Sequence, residues 1–291
     1  MRFFIFVIVG LLLTIKLEAQ TITEKIASKA CNCLDSLKTD EPLNSNLKDC
    51  ISEATAYYMT NGSTEEQNFL KSFQGAVATL TEVYEIIPSQ CYTLRHLLIE
   101  EKRQKYYKLS GNSDANAYYQ KGNDFMDKGD FKNSIIEFKK ALNLDNSFVY
   151  ALDHLAFSYR NLNNLEIAIQ YYQKSLVIFP EGEVALLNIA NAYSLLRDYR
   201  NSKNYFKDFI YYYQDNPEGY FGLGKILFIK KDYENALENI FIAHQMYEKT
   251  NSDNLSDCDK FISLMYSELK KIDKLDLFDI KAKKYNIIVK E

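Results

Sequence analysis

Sliding the sequence against itself by 34 residues brings Gly122, Ala156, Ala190 and Gly224 into one column. Three residues further on stand Phe125, Tyr159, Tyr193 and Leu227, and later columns hold Phe131, Leu165, Tyr199 and Tyr233; Ser134, Ala168, Ser202 and Ala236; and Phe138, Tyr172, Phe206 and Ile240. Small residues keep two columns and large apolar residues keep the others. Each unit therefore reads as two helices joined by a turn. A single pair cannot bury its apolar faces alone, so units with this period must stack on their neighbours. Gly122 sits where the first helix should be strongest, and glycine there costs roughly 1 kcal/mol relative to alanine. Close approach of the second helix supplies the reason: Tyr118, Phe125, Phe131 and Phe138 are expected to close around it. On that reading Gly122→Leu overpacks the contact, while Gly122→Ala is close to neutral.

The turn dipeptides Gly129-Asp130, Asn163-Asn164, Arg197-Asp198 and Lys231-Asp232 also align, each with an Asp or Asn able to cap the second helix. Together these columns resemble the tetratricopeptide repeat, with four units covering Ala115 to about Lys249. The resemblance implies an all-α protein: an amino-terminal helical bundle, then a right-handed α-solenoid of about four helix pairs, then a carboxy-terminal capping helix. Some positions depart from the family pattern. The large residue four places before the first small one is Tyr118, Leu152, Leu186 or Tyr220, never Trp, and a closing proline falls in place only as Pro180. In the third unit the proline is delayed to Pro217, so its second helix is expected to run about one turn longer. Beyond Lys249 the period fails, because Phe261, Ile262, Met265, Leu269 and Ile272 stay in helical phase where a turn is due. A cap with the Lys-rich outer face Lys281-Ala282-Lys283-Lys284 is expected there, with a degenerate fifth unit as the alternative.

The opening MRFFIFVIVGLLLTIKLEAQ carries Arg2, an apolar run from Phe3 to Ile15, and Leu17-Glu18-Ala19 as a cleavage site. Lys16 stops the run short of the roughly 20 residues a spanning helix needs, so it reads as a signal peptide of an exported, periplasmic or secreted protein, with an uncleaved anchor as the alternative. The expected domains are residues 1–19 (signal), 20–110 (helical and cysteine-containing), 115–249 (four units) and 250–291 (capping helices), with Ser110–Asp114 as linker. A net charge of −4 leaves no basic excess for phosphates, which argues against nucleic acid as a partner, and no later stretch could span a membrane.

In the amino-terminal domain, Ile26, Ala30, Cys33 and Leu37 recur at helical spacing, as do Leu47, Cys50, Ala54 and Tyr58, and then Phe69, Phe73, Val77, Leu80, Tyr84 and Ile87. Asn61-Gly62-Ser63 marks a turn, Pro88 closes the third helix, and a fourth begins near Cys91. Four antiparallel helices are expected. Cys31, Cys33, Cys50 and Cys91 cluster in this exported region and are disulfide candidates. Positions two apart on a helix point about 200° apart, so Cys31 and Cys33 should bond to different helices, one reaching Cys50 and the other Cys91. A thiolate metal site with His96, a redox pair and reduced core thiols are the alternatives. Cys258 reads as a small buried hydrophobe.

Little in the chain points to catalysis. The string Gly219-Tyr220-Phe221-Gly222-Leu223-Gly224-Lys225-Ile226 departs from a phosphate-binding loop at its last position, where isoleucine lacks the hydroxyl that holds Mg²⁺, and it opens a helix instead of following a strand. His96, His154 and His244 form no HExxH, and neither a GxSxG elbow nor a dinucleotide fingerprint occurs. No enzyme, cofactor or metal is expected.

In the resembled family the first helices line a groove that takes peptides or helices. Carried over unit by unit, the groove holds Asn116, Tyr119, Asn123, Met126 and Asp127; Tyr150, Asp153, Phe157, Arg160 and Asn161; Val184, Leu187, Asn191, Ser194 and Leu195; then Glu218, Phe221, Lys225, Phe228 and Ile229. Its few charges are of both signs, and it becomes more apolar toward the carboxy terminus, which suits a protein or peptide with an amphipathic or apolar segment; packing of Phe228 and Ile229 against the next repeat or the cap is the alternative. A family clamp for terminal carboxylates is missing: Asn123 matches it, but Tyr119, His154 and Val184 replace its other members. A glycan-binding module using exposed tyrosines is a second reading, weakened by the absence of Trp, and an enzyme hidden in the amino-terminal domain is a third.

Overall fold

A computed structural model describes residues 21–36 and 43–287, and every regular element among them is a helix. The signal segment, residues 1–19, and Leu37 lie outside the described residues. Backbone contacts divide the chain into two compact units, one ending at Leu98 and the other beginning at Ile99. Residues 99–109 therefore group with the repeats, although the sequence carries its polar linker at 110–114.

The first unit contains α1 (Ile22–Ser36), α2 (Leu43–Asn61), α3 (Thr64–Lys71), α4 (Phe73–Gln90) and the start of α5 (Tyr92–Tyr106). Ile26, Ala30, Leu34, Ile51, Ala54, Leu70, Val83 and Ile87 form its core. The single third helix read from Phe69 to Ile87 is in fact two, broken at Ser72. There the backbone is extended (φ −77°, ψ 142°), and the Ser72 hydroxyl accepts from the Gly75 amide at 3.0 Å, capping α4. Gly75 makes the corner feasible, since a Cβ on it would stand 2.0 Å from the Phe69 carbonyl oxygen. The break rotates the expected core stripe outward: Phe69, Phe73, Val77 and Tyr84 are all exposed, Phe73 at 85%. Pro88 lies inside the last turn of α4 and does not end it; the helix runs to Gln90 and is closed by the Cys91 amide bonding to the Ile87 carbonyl at 2.8 Å. Disulfides join Cys31 to Cys91 and Cys33 to Cys50, with Cα separations of 5.3 and 5.6 Å. With all four sulfurs so bonded, no thiolate is left there for a metal ion.

The repeats follow as α6 (Ser113–Asp127), α7 (Phe131–Leu144), α8 (Val149–Asn161), α9 (Leu165–Ile178), α10 (Glu183–Leu195), α11 (Tyr199–Tyr212), α12 (Pro217–Ile229) and α13 (Tyr233–Lys249). Second helices start at Phe131, Leu165, Tyr199 and Tyr233, each 34 residues after the last. Both small-residue columns are buried throughout. One backbone device repeats with them. Gly129, Asn163, Arg197 and Lys231 all take left-handed φ, between 59° and 74°. After each, the next amide bonds back to the carbonyl five residues earlier at 2.9 Å, as from Asp130 to Phe125 and from Asp232 to Leu227. Only the first unit places glycine at this strained position. Side-chain caps form at Asp130 and Asp198, which accept from the amides of Asn133 and Asn201, whereas Asn164 and Asp232 make no such bond.

Phe138 is the residue that Gly122 admits. An added Cβ would lie 2.4 Å from its Cε1 and 2.5 Å from its Cδ1, and the Phe138 ring is fully buried. Alanine therefore does not fit at Gly122 without moving that ring, contrary to the near-neutral expectation. Gly222 and Gly224 of the near phosphate loop play the same part inside α12, facing Phe206 and Ile240.

The longer second helix expected in the third unit is absent: α11 has 14 residues, like α7 and α9. Tyr213 leaves the helix to bury its ring, and its hydroxyl donates to the Glu181 carbonyl. Pro217 instead opens α12 behind the Asn216 cap, where its missing N–H costs nothing. It is α13, with 17 residues, that is extended.

First helices of successive units touch one another, while no comparably extensive contact joins the second helices, so the stack closes on its first-helix side. The chain ends in two helices, α14 (Leu255–Lys271) and α15 (Leu275–Tyr285), which both pack on α13. Their turn uses the same device, with Asp273 at φ 55° and the Lys274 amide bonded to the Leu269 carbonyl at 2.9 Å. The cap is thus a helix pair shifted out of register. Lys281 does not face solvent there: it reaches Glu234 and Glu238 at 3.1 and 3.3 Å, while Lys284 meets Glu238 at 2.9 Å. Tyr285 and these lysines hold the Glu238 carboxyl down at about 2.

Candidate protein-binding face

The first-helix face is largely filled from within the unit. Tyr119 is buried, with its ring 4.9 Å from Phe148 and 5.3 Å from His154. Asn123 Oδ1 lies 2.7 Å from His154 Nδ1, and burial lowers the pKa of that imidazole. Met126 packs on the core of the first repeat. Phe157 sits 6.2 Å from Phe131, and the Arg160 guanidinium lies 5.0 Å over the Phe157 ring while donating to Asn188 Oδ1 at 2.5 Å. At the far end, Phe261 of α14 packs edge-on against both Phe221 and Phe228, at 6.0 and 5.8 Å. Lys225 Nζ sits 4.3 Å over Phe221, and desolvation lowers its pKa. Phe221, Lys225 and Phe228, read as groove residues, are thus partly covered by the cap.

What stays open on this face is polar toward the amino terminus, where Asp127 and Asn161 are exposed, and apolar toward the carboxy terminus. Val184, Leu195 and Ile229 are exposed, Leu195 at 65% and Ile229 at 50%. Asn191 is half-buried on the same helix as Leu195.

A second feature was not visible in the sequence. The start of the second unit, Ile99–Tyr107, packs across the beginnings of α8 and α10 and the ends of α9 and α11. Ile99 is buried with Phe179, Leu186, Phe209 and Tyr213. Tyr106 stacks on Phe179 at 5.7 Å, and Tyr107 meets Tyr150 and Phe179 edge-on at 5.1 and 5.7 Å. Lys102 pairs with Glu181 at 2.5 Å, and Arg103 lies 3.8 Å from Glu183. Leu187 borders this cluster.

Asp153 anchors the contact. It is 1% exposed, and the Tyr107 hydroxyl donates to its Oδ2 at 2.5 Å. Burial drives its carboxyl up to about 6, against the opposing hydrogen bond from Tyr107. Burial also pushes the Tyr107 phenol up, helped by the charge of Asp153. Asp153, read as a groove residue available to a partner, is thus enclosed. Cys258 is buried too, its thiol pushed up to about 12, so it lacks the thiolate a nucleophile requires.

Stacked antiparallel pairs at a fixed period, with one continuous first-helix face, define an α-solenoid of the protein-interaction scaffold kind. Residues 115–148, 150–182 and 184–216 match the sequence profiles of the tetratricopeptide repeat family. Among curated proteins, the chain is 27% identical over 128 residues to "Uncharacterized protein ycf37" of Guillardia theta, covering 42% of this chain and 69% of that protein. Among solved structures, a MamA protein superposes with a TM-score of 0.50 at 18% identity, covering 60% of this chain and 92% of that one. MamA residues 41-end from Desulfovibrio magneticus RS-1 superposes with a TM-score of 0.52 at 12% identity, covering 60% and 95%. At these identities the likeness concerns the fold. No helix among the described residues is long and apolar enough to cross a membrane.

Proposed function

We propose that this protein is a non-enzymatic, exported scaffold whose first-helix face binds an amphipathic or apolar segment of another protein. The observation that carries the reading is the set of exposed apolar side chains Val184, Leu195 and Ile229 toward the carboxy-terminal end of this face. A folded chain that leaves such side chains in water offers a helix or extended segment a place to bury its own. Export rests on the apolar opening segment and on the disulfides of the first unit, which persist in oxidising compartments.

Leu195→Glu combined with Ile229→Glu tests this without disturbing the core, because both side chains are exposed. Partner capture from cell-envelope or secreted material by the full chain should be lost in the double variant and kept in Val177→Glu, whose side chain is 83% exposed on a second helix. Capture that survives the double variant contradicts the reading.

A further inference from the structure

We infer that Ile99–Tyr107 is an internal occupant of a second binding surface, at the starts of α8 and α10 and the ends of α9 and α11, and that the external partner there is a helix presenting one aliphatic residue, two cations and paired aromatics along one face. This rests on the scaffold reading above and names the chemistry of its partner.

Ile99, Lys102, Arg103, Tyr106 and Tyr107 follow the spacing i, i+3, i+4, i+7, i+8, which gathers them on one side of a helix. Each meets a matching group. Ile99 enters the apolar cluster of Phe179, Leu186 and Tyr213; Lys102 and Arg103 face Glu181 and Glu183; Tyr106 and Tyr107 stack around Phe179, and Tyr107 reaches Asp153. This is how a scaffold reads a peptide helix, with anchors in apolar pockets and charges at the rim. The charged pairs are rim-like, since the Lys102 and Arg103 side chains are both 50% exposed. The segment does not extend the repeat pattern itself, because it precedes the first unit yet lies on the second and third. Its contacts are made by long side chains, and no extensive backbone approach joins α5 to any other helix. A site whose internal occupant is held at side-chain length can exchange it for an external copy, and the apparent affinity for that copy rises with the fraction of molecules in which the site is free.

The test uses a fluorescent peptide with the sequence IEEKRQKYYKL, residues 99–109, titrated into the full chain by anisotropy while deuterium uptake of residues 99–107 is followed. In Lys102→Glu/Arg103→Glu the segment should exchange faster and the peptide should bind at least about tenfold tighter than to wild type. Adding Glu181→Lys to that variant should restore protection and return the peptide to its wild-type affinity. A freed segment with no gain in peptide binding overturns the inference. If charge reversal does not free the segment, Tyr106→Ala/Tyr107→Ala replaces it, and a segment still protected in that variant also overturns it. A negative peptide result with partner capture still sensitive to Leu195→Glu/Ile229→Glu sinks this inference alone; insensitive capture sinks the scaffold reading as well.

Discussion

The two units reach stability by different routes. In the first, a modest core is tied by Cys31–Cys91 and Cys33–Cys50, which close loops of 60 and 17 residues of separation. In the second there is no covalent tie among the described residues, and Cys258 stays free. There the same helix pair recurs, with small residues admitting a large ring or branched chain from the partner helix. A stapled unit depends on its compartment, whereas a repeated unit depends on each local fit. Disturbing one kind of tie should therefore leave the other unit standing.

Reduction is the largest perturbation. A reductant should lower the stability of the first unit by about 2–5 kcal/mol per bridge, with protection of the repeats unchanged in segment-resolved hydrogen exchange. Equal loss in both units would erase the contrast.

Asp153 comes next, since its raised pKa ties the second unit to pH. The folded state holds this proton up to about 6, while the unfolded chain releases it near the ordinary 3.8. Stability should thus fall as pH rises between those values, by about 3 kcal/mol at most, and stay low at neutral pH. Asp153→Asn keeps an oxygen for the Tyr107 hydroxyl and should remove that slope, raising the urea midpoint at about pH 7 more than at about pH 4. A variant with an unaltered pH profile would show that the carboxyl is solvated.

Gly122→Ala should cost about 1–3 kcal/mol in thermal melts by pushing on Phe138, and Gly122→Leu more. The smallest effect is stabilising. Arg197→Gly or Lys231→Gly relieves a left-handed backbone and should gain up to about 1 kcal/mol, while Gly129→Ala loses a similar amount.

Much of the second unit was legible because its constraint is periodic: a glycine that looks like a defect in one helix becomes a packing rule once Ala156, Ala190 and Gly224 share its column. The first unit has no second copy to read against, so a helix break at Ser72, capped by the Gly75 amide donating to its hydroxyl, went unseen and left Phe69, Phe73, Val77 and Tyr84 on the surface and not in the expected core. Pro217 misled for a similar reason, since a proline that opens a helix and one that closes a helix look alike until the cap at Asn216 is seen. The binding face was legible in outline only. Helical position tells which side Phe228 takes, but not that Phe261 of a shifted cap will cover it. The bond from Tyr107 to Asp153 spans 46 residues and joins elements of different kind, so no local spacing announces it.

The most direct measurement places a photoreactive side chain at Leu195, on the first-helix face, and separately at Val177, on a second helix, in the full chain in its native compartment. Both positions are exposed, so reactivity toward solvent is matched. A discrete protein adduct from Leu195 and none from Val177 is the predicted result. An adduct from Val177 alone, or from neither, would contradict a partner-binding role for the first-helix face.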